Sequence, residues 1–391
     1  MMSETGQTRQ ERVLRTLEHL RNRTTDLSAA VESVGPHEYV HPALATLERD
    51  EVFGRVPTIV AHGTEIPKPN DFMTVQMPRN QVLLARQKDG SVGAFVNLCR
   101  HRGALLQREP RGRARLFSCP YHRWSYDLDG SLRSVTLDDT FGCIDREKAG
   151  LVRLPVEERH GFIWLIDRAG ENIDVAAWLG PQVDTIFTSY GLDSYVCAKA
   201  GSFAQPSNWK VMQDAFLDGY HIKFAHPNTA SRYVHTNITV FEDFGRHSRF
   251  MAPRKSIDRW IDEDPGDLDL TRHVTENNFV LPNSSLLRQP DHFQLLTFIP
   301  DGNDPLCSRM EMRLIVPPVE ESGLSAHEWE ARWAKNWKVL LDVIIAEDFP
   351  IVSDSTAAMT SLDGGPLHLG RNEIANQHFR RELKRVLAGD R

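Results

Sequence analysis

The sequence predicts an α+β protein, with an all-β domain first and then a domain that mixes helices with strands. Three observations predict it. Short runs rich in β-branched and aromatic residues, broken by Gly, Pro, Asn and Asp, fill residues 56–166. A second set of alternating runs occupies residues 233–249 and 279–316. Helical periodicity marks the segments at both ends of the chain. The 391 residues suffice for two or three domains at roughly 100–200 residues each. The expected division is a helical segment over 1–40, a β domain over 41–170 and a mixed domain over 171–391.

In order along the chain, residues 8–34 place Val13, Leu14, Leu17 and Leu20 at helical spacing among charges, which predicts an amphipathic helix docked on the body or on a neighbouring subunit. Strands follow at Val56–Val60, Phe72–Met77 and Gln81–Arg86, and Lys88-Asp89-Gly90-Ser91 reads as a tight hairpin turn. The strand Val92–Leu98 then delivers Cys99 and His101 to a loop. Ala114–Phe117 delivers Cys119 and His122 to another. Leu151–Pro155 and Gly161–Ile166 close the β domain. Val175–Ser189 reads as a helix, residues 195–201 as a strand, and Pro300–Asn303 as a turn. Ser325 and Glu328 form a capping-box signature that opens a helix with Trp329, Trp333 and Trp337 on one stripe, read as core packing. That helix is expected to stop at Pro350, and residues 372–387 to form a last charged helix.

Composition narrows the function classes. A formal net charge of −7 carries no electrostatic footprint for nucleic acid or an anionic membrane. The polar start of the chain has no apolar signal-peptide core, and no run approaches the roughly 18 apolar residues of a membrane span. Five cysteines without a paired framework suit a reducing, cytoplasmic setting.

The strongest chemical signal is Cys99-x-His101 and Cys119-x-x-His122, separated by 17 residues. Each loop offers one thiolate and one imidazole. A Rieske [2Fe–2S] cluster needs that mixed set, two cysteines on one iron and two histidines on the other. Structural zinc is the rival, but its sites group the cysteines before the histidines, whereas here the types alternate.

A second set lies in Asn208–His226, read as a helix with His221 and His226 near its end. Five residues turn an ideal helix by about 140°, so the two rings share a face only if the end unwinds before Pro227. Two histidines and one carboxylate hold non-haem Fe(II) with positions left open for O₂. Asp348 is the preferred carboxylate, ahead of Glu347 and Asp354. Asp218, three residues before His221, is placed to orient that imidazole. Ordinary alternatives stand beside each reading: a satisfied core histidine, a solvated helix end, an exposed helix Asp. Phe216 and Phe293 are candidate pocket liners, and Arg249, Arg254 and Arg288 are candidate clamps for a substrate carboxylate. No Gly-x-Gly-x-x-Gly follows a strand, so no flavin or nicotinamide is expected on this chain.

With these residues in place, the chain resembles the α (oxygenase) subunit of the Rieske non-haem iron oxygenases, the aromatic ring-hydroxylating dioxygenases. The likeness covers roughly residues 40–390. It rests on Asn97–Gly103, on Cys119–His122 with Trp124 and Asp129-Gly130, on Asn208-Trp209-Lys210, on Asp218–His221 with His226, and on Glu347-Asp348. It implies a Rieske domain ahead of a helix-grip catalytic domain, of the START and Bet v 1 type, with a curved antiparallel sheet. It also implies one cluster and one mononuclear Fe(II), a trimer in which Asp218 links a neighbour's cluster histidine to His221, and an external reductase with or without a ferredoxin. A small β subunit is an open possibility. The sequence departs from the family pattern at Arg123, where Gly is common, and at Gln213-Asp214, where Glu-Asn is frequent. The expected activity is mono- or cis-dihydroxylation of an aromatic compound such as an aromatic acid. The alternatives are oxidative demethylation or hydroxylation of a quaternary amine or methyl ether, and, from another class, plain Rieske electron transfer. The roughly 220 residues after the β domain exceed what a carrier needs.

Overall fold

The computed structural model describes residues 8–266, 268–361 and 363–390. They form two compact units. One comprises Arg49–Trp178 with Gly191–Asp193; the other takes the chain up to Glu48, Leu179–Tyr190, and Ser194 onward.

The smaller unit is built mainly of antiparallel sheet, with short helical turns such as Asp138–Phe141. Its strands are β1 (Thr58–His62), β2 (Asp71–Gln76), β3 (Gln81–Arg86), β4 (Val92–Val96), β5 (Arg111–Arg113), β6 (Phe117–Ser118), β7 (Ser125–Tyr126), β8 (Leu132–Ser134), β9 (Arg153–Leu154), β10 (Val156–Arg159) and β11 (Phe162–Leu165). They make a five-stranded sheet in the order β9-β4-β3-β2-β5, a three-stranded sheet β10-β11-β1, and a small sheet β6-β7-β8. The β3–β4 connection is longer than a two-residue primed turn. Only Gly90 takes positive φ, and the loop is closed by the Gln87 N–H donating to the Ser91 carbonyl over 2.8 Å. Phe72, Leu83, Phe95, Phe117, Trp124 and Tyr126 pack one buried cluster that includes Cys99 and Cys119. Each large apolar side chain buried there contributes about 1.5–3 kcal/mol.

In the larger unit, α1 (Arg9–Asn22) buries Val13, Leu17 and Leu20 against Val240, Met251 and Val274 of its own unit. Leu14 lies off that stripe and is exposed. Helix α2 (Val175–Tyr190), whose residues up to Trp178 belong to the smaller unit, breaks at Gly180, where φ is +69° and Pro181 follows. A seven-stranded antiparallel sheet is built from β12 (Val196–Gln205), β13 (Val240–Phe244), β14 (His247–Pro253), β15 (Val274–Val280), β16 (Ser284–Arg288), β17 (Phe293–Pro300) and β18 (Ser308–Val316), in the order β12-β18-β17-β16-β15-β14-β13. Helix α3 (Trp209–Phe216) contacts β17, and α6 (Ile374–Leu387) contacts β13 and β14. The capping box opens α4 (Ala326–Val343), whose Trp333 is buried beside Leu314 and Val316.

Two expectations change here. The chain does not stop at Pro350. After α4 it makes a π-helical turn at Ile344–Asp348 and continues as α5 (Phe349–Ala358), with Pro350 in the first turn, where a missing N–H leaves no bond unmade. Nor is Asn208–His226 one helix. Helix α3 ends at Phe216, and Ile222–Ala225 is a separate single turn.

The Asn208-Trp209-Lys210 motif anchors α3. The Asn208 side chain accepts the Lys210 N–H over 2.9 Å and donates to the carbonyls of Tyr39 and Pro305. Trp209 Nε1 donates to Glu48 over 2.9 Å, and the fully buried Lys210 ion-pairs with the same carboxylate. Burial draws the Lys210 ammonium below its ordinary value, and Glu48 opposes that shift.

Candidate metal centres

In the smaller unit the two cysteine loops repeat one local design. The Gly103 N–H donates to the Cys99 carbonyl over 2.9 Å, and the Arg123 N–H donates to the Cys119 carbonyl over 3.0 Å. Both closing residues are left-handed, Gly103 at φ +75° and Arg123 at +60°. That is why glycine suits the position; a side chain there costs about 1–2 kcal/mol. Both cysteines are buried, and the rings of His101 and His122 lie 4.7 Å apart. His101 stacks on Trp124 at 4.9 Å, and His122 on Tyr121 at 3.8 Å. His122 Nδ1 is buried without a hydrogen-bond partner, as a ligand atom waiting for its metal would be. The Tyr126 hydroxyl accepts the Arg100 N–H over 3.0 Å and lies 3.4 Å from Cys99 Sγ. Burial pushes the Cys99 thiol up, against that hydrogen bond, so cluster assembly must displace a proton. A shared Cys₂His₂ environment with an orphaned imidazole nitrogen fits a [2Fe–2S] cluster.

In the larger unit His221, His226 and Asp348 come together, one ligand atom from each lying within 4.8 Å of the others. Among the described residues this is the one cluster of that kind. Asp348 Oδ1 is 3.2 Å from His226 Nε2 and 4.0 Å from His221 Nε2. The 140° problem is solved at the end of the short turn: His221 is helical, but His226, just before Pro227, has left the helical conformation at φ −119° and ψ 48°. Each imidazole is fixed from behind by a carboxylate. His221 Nδ1 lies 3.0 Å from Asp218 Oδ2, and His226 Nδ1 lies 2.6 Å from Glu347 Oε2. Asp218 also accepts the backbone N–H groups of Tyr220 and His221, so it sits in a turn and not on a helix face. Such backing sets the tautomer and aims both Nε2 atoms at Asp348. His226 is raised above the ordinary imidazole range: burial opposes its charge, but Asp348 and Glu347 outweigh it. The set fits a divalent metal with open positions.

Glu347 is a site residue that sequence reasoning set aside as a weaker rival to Asp348. The π-turn brings both neighbours to His226, a phase no helical pattern foretells. Thr229 completes the arrangement by donating to Glu347 over 2.6 Å. Asp354 is exposed on α5.

His221, His226 and Asp348 line a cavity of about 790 Å³ whose wall includes Phe216, Phe250, Leu287, Leu340, Val343 and Arg254. Phe293 lies elsewhere, packed on Tyr190 and Tyr195. Two arginine candidates are already engaged. Arg249 is buried on Glu242 at 2.6 Å, its direct cross-strand partner, and Arg288 faces Glu276 at 3.6 Å in the same way. Gln213 donates to Ser285 over 3.0 Å. Asp214 is held by Tyr39 and the buried Arg380 at 2.8 and 2.7 Å, which makes it a structural ion pair and no ligand.

Comparison with known proteins identifies the two domains. The Rieske [2Fe-2S] domain family matches residues 56–144, which favours iron–sulfur over zinc there. The ring hydroxylating alpha subunit (catalytic domain) family matches residues 192–389. The anthranilate 1,2-dioxygenase large subunit of Acinetobacter baylyi is 32% identical over 206 residues, which is 50% of this chain and 43% of the relative. The carnitine monooxygenase oxygenase subunit of Acinetobacter pittii is 32% identical over 211 residues, 51% of this chain and 56% of the relative. The matched regions thus span about half the length of these curated relatives. Among solved structures, a quaternary ammonium Rieske monooxygenase superposes with TM-score 0.76 at 22% identity, covering 91% of this chain and 95% of the other. A naphthalene 1,2-dioxygenase does so with 0.74 at 18%, covering 94% of each. These two show a shared fold. No described helix is long and apolar enough to cross a membrane. A match to the catalytic-domain family over half of its length, with a Rieske domain ahead of it, makes this chain a member of the Rieske non-haem iron oxygenases, in their ring-hydroxylating α-subunit family.

Proposed function

We propose that the chain is the terminal oxygenase of a multicomponent system that uses O₂ and external electrons to hydroxylate a small organic molecule, with an aromatic compound as the leading substrate class. The observation that carries this reading is the His221–His226–Asp348 cluster set in the wall of the 790 Å³ cavity. In it, His221, His226 and Asp348 hold the mononuclear iron, and Cys99, His101, Cys119 and His122 hold the cluster. When bound, the iron supplies O₂ activation at its open positions and the cluster supplies single electrons. The residues do the rest. Asp218 and Glu347 lock the two imidazoles, and the apolar wall of Phe216, Phe250, Leu287, Leu340 and Val343 orients the substrate and keeps water out. Asp218 is also assigned the link between His221 and a cluster histidine of a neighbouring copy in a homotrimer, with or without a β subunit. A ferredoxin or flavin reductase is the electron donor.

A second reading, oxidative attack on a quaternary amine, draws support from the relative named carnitine monooxygenase. Product identification separates the two, since ring attack yields a hydroxylated or dihydroxylated arene and attack at a quaternary amine yields a cleaved amine and a carbonyl compound. A plain electron carrier would have no use for the cavity or the three-residue cluster. The test is coupled O₂ uptake over a substrate panel with a generic reductase, in wild type and in His221→Ala. The variant is expected to lose mononuclear iron and substrate-dependent O₂ uptake while keeping the cluster's visible spectrum. Full iron content or retained uptake in the variant would falsify the assignment.

A further inference from the structure

Arg254 differs from three other arginines near the sheet. Arg249, Arg288 and Arg380 each face a carboxylate, Glu242, Glu276 and Asp214 respectively. Arg249 and Arg288 owe theirs to strand register, because Glu242 stands opposite Arg249 and Glu276 opposite Arg288. Arg254 stands one residue beyond the end of β14 at Pro253, where that ladder has stopped. Its guanidinium reaches only neutral acceptors: Nη1 donates to Gln289 Oε1 over 3.0 Å and to Thr275 Oγ1 over 3.5 Å. Thr275 also donates to Gln289 Oε1 over 3.2 Å, which fixes the amide. Among the described residues no carboxylate lies within 4.0 Å of Arg254.

Asp291, on the same cavity wall, acts on Arg254 only through space; it is engaged by His292 at 2.7 Å and by an ion pair with Arg332. The hydrogen bond from His292 holds it ionised, at about 2. Both of its carboxylate oxygens are therefore engaged by other partners, Oδ1 by His292 and Oδ2 by Arg332. Arg254 is half-buried, and burial draws it below its ordinary value against the through-space attraction of Asp291, as for a cation short of solvent. It lines the same cavity as His221, His226 and Asp348, which also contains Gln289, Thr275 and Asn277. A guanidinium fork held along one edge and open along the other matches a planar carboxylate in two parallel hydrogen bonds.

We infer that the cavity takes a substrate bearing a carboxylate, with Arg254 as its anchor and Gln289 and Thr275 as the residues that position the anchor. This rests on the oxygenase reading of the site. It deepens that reading by selecting, from the aromatic and the amine candidates alike, the members that carry an acid group.

The experiment uses the full chain loaded with both metal centres and measures binding by calorimetry without turnover. The probes are benzoate against benzamide, and γ-butyrobetaine against its primary amide. At least one acid is expected to bind about tenfold or more tighter than its amide, since a charged hydrogen-bonded pair is at stake. Arg254→Met is expected to abolish that preference, and Arg254→Lys to keep part of it. Gln289→Glu places a carboxylate within reach of Nη1 while leaving the arginine in place; it is expected to abolish the preference as well, which covers the case of a poorly folded Arg254 variant. Neither acid outbinding its amide, absence of binding included, overturns the inference. So does a preference that survives both Arg254→Met and Gln289→Glu. Failure of the oxygenase reading looks different: wild-type chain without mononuclear iron whose acid preference persists.

Discussion

Glu347 Oε2 lies 2.6 Å from His226 Nδ1, so the residue next to Asp348 in sequence grips the far side of the imidazole whose Nε2 faces Asp348. Glu347 is held below the ordinary carboxylate range: burial raises it, but the hydrogen bonds from Thr229 and His226 win. It therefore stays ionised and fixes His226 with Nδ1 as the proton donor. Glu347→Gln keeps the shape and removes the charge. The expected result is a weakening of mononuclear iron affinity by roughly 10–100-fold, read as iron content after dialysis against a graded chelator series, with the cluster's visible spectrum unchanged. Iron retention equal to wild type would show that the contact is incidental.

Much of this site was open to sequence reasoning, and the shortfalls have physical causes. Cys99, His101, Cys119 and His122 announce themselves because each loop is local. Residues 208–226 read as one helix because nothing before Pro227 forbids it apart from Gly219; the break after Phe216 is decided by Asp218 capturing backbone N–H groups of its own turn. Glu347 was overshadowed because a π-turn changes which neighbours share a face. The three candidate arginines were indistinguishable until strand register paired Arg249 with Glu242 and Arg288 with Glu276 and left Arg254 beyond the ladder. Both pairs sit across hairpins, whose register is fixed by the turn, and the alternation of a strand alone does not report which residues the turn sets opposite each other.

Tyr126 bears on the cluster through its hydroxyl, 3.4 Å from Cys99 Sγ and held there by the Arg100 N–H. Hydrogen bonds to the cysteine sulfurs stabilise the reduced, more negative cluster and raise its potential. Tyr126→Phe is expected to lower the midpoint by roughly 40 mV, the one-electron equivalent of about 1 kcal/mol. Film voltammetry of the isolated chain checks it, and an unchanged or higher midpoint would remove Tyr126 from the tuning residues.

At Arg123 strain and charge can be separated. The residue is exposed and left-handed, with φ +60°, in the position that mirrors Gly103. Arg123→Gly should relieve about 1 kcal/mol of backbone cost and raise the melting temperature, whereas Arg123→Ala keeps the strain and should not. Both remove a positive charge beside His122 and should lower the midpoint potential, more at low salt than at high, because an exposed charge is screened. If Ala stabilises as much as Gly, the conformational account fails. If neither shifts the potential, the charge is too well solvated to matter.

Asp167 sets a pH dependence in the smaller unit. It is fully buried, accepting the Arg79 N–H at 2.7 Å and the Asn80 amide at 2.7 Å, and burial raises its carboxyl to about 6 from an ordinary 3.8. A folded value above the unfolded one means that the unfolded chain loses its proton first. The stabilisation from the protonated form is thus complete below about pH 4 and is lost as pH rises through about 6. At pH 7 the charged form costs about 3 kcal/mol relative to acid conditions, from 1.36 kcal/mol per pH unit. Asp167→Asn removes the titration but turns an N–H₂ toward groups that also donate, so part of the gain is forfeited. The expected signature is in the difference between the proteins. Wild type should gain stability relative to Asp167→Asn as pH falls from 7 to 5 in urea unfolding followed by tryptophan fluorescence. A difference that stays flat across that range would mean that Asp167 titrates alike in the folded and unfolded chains.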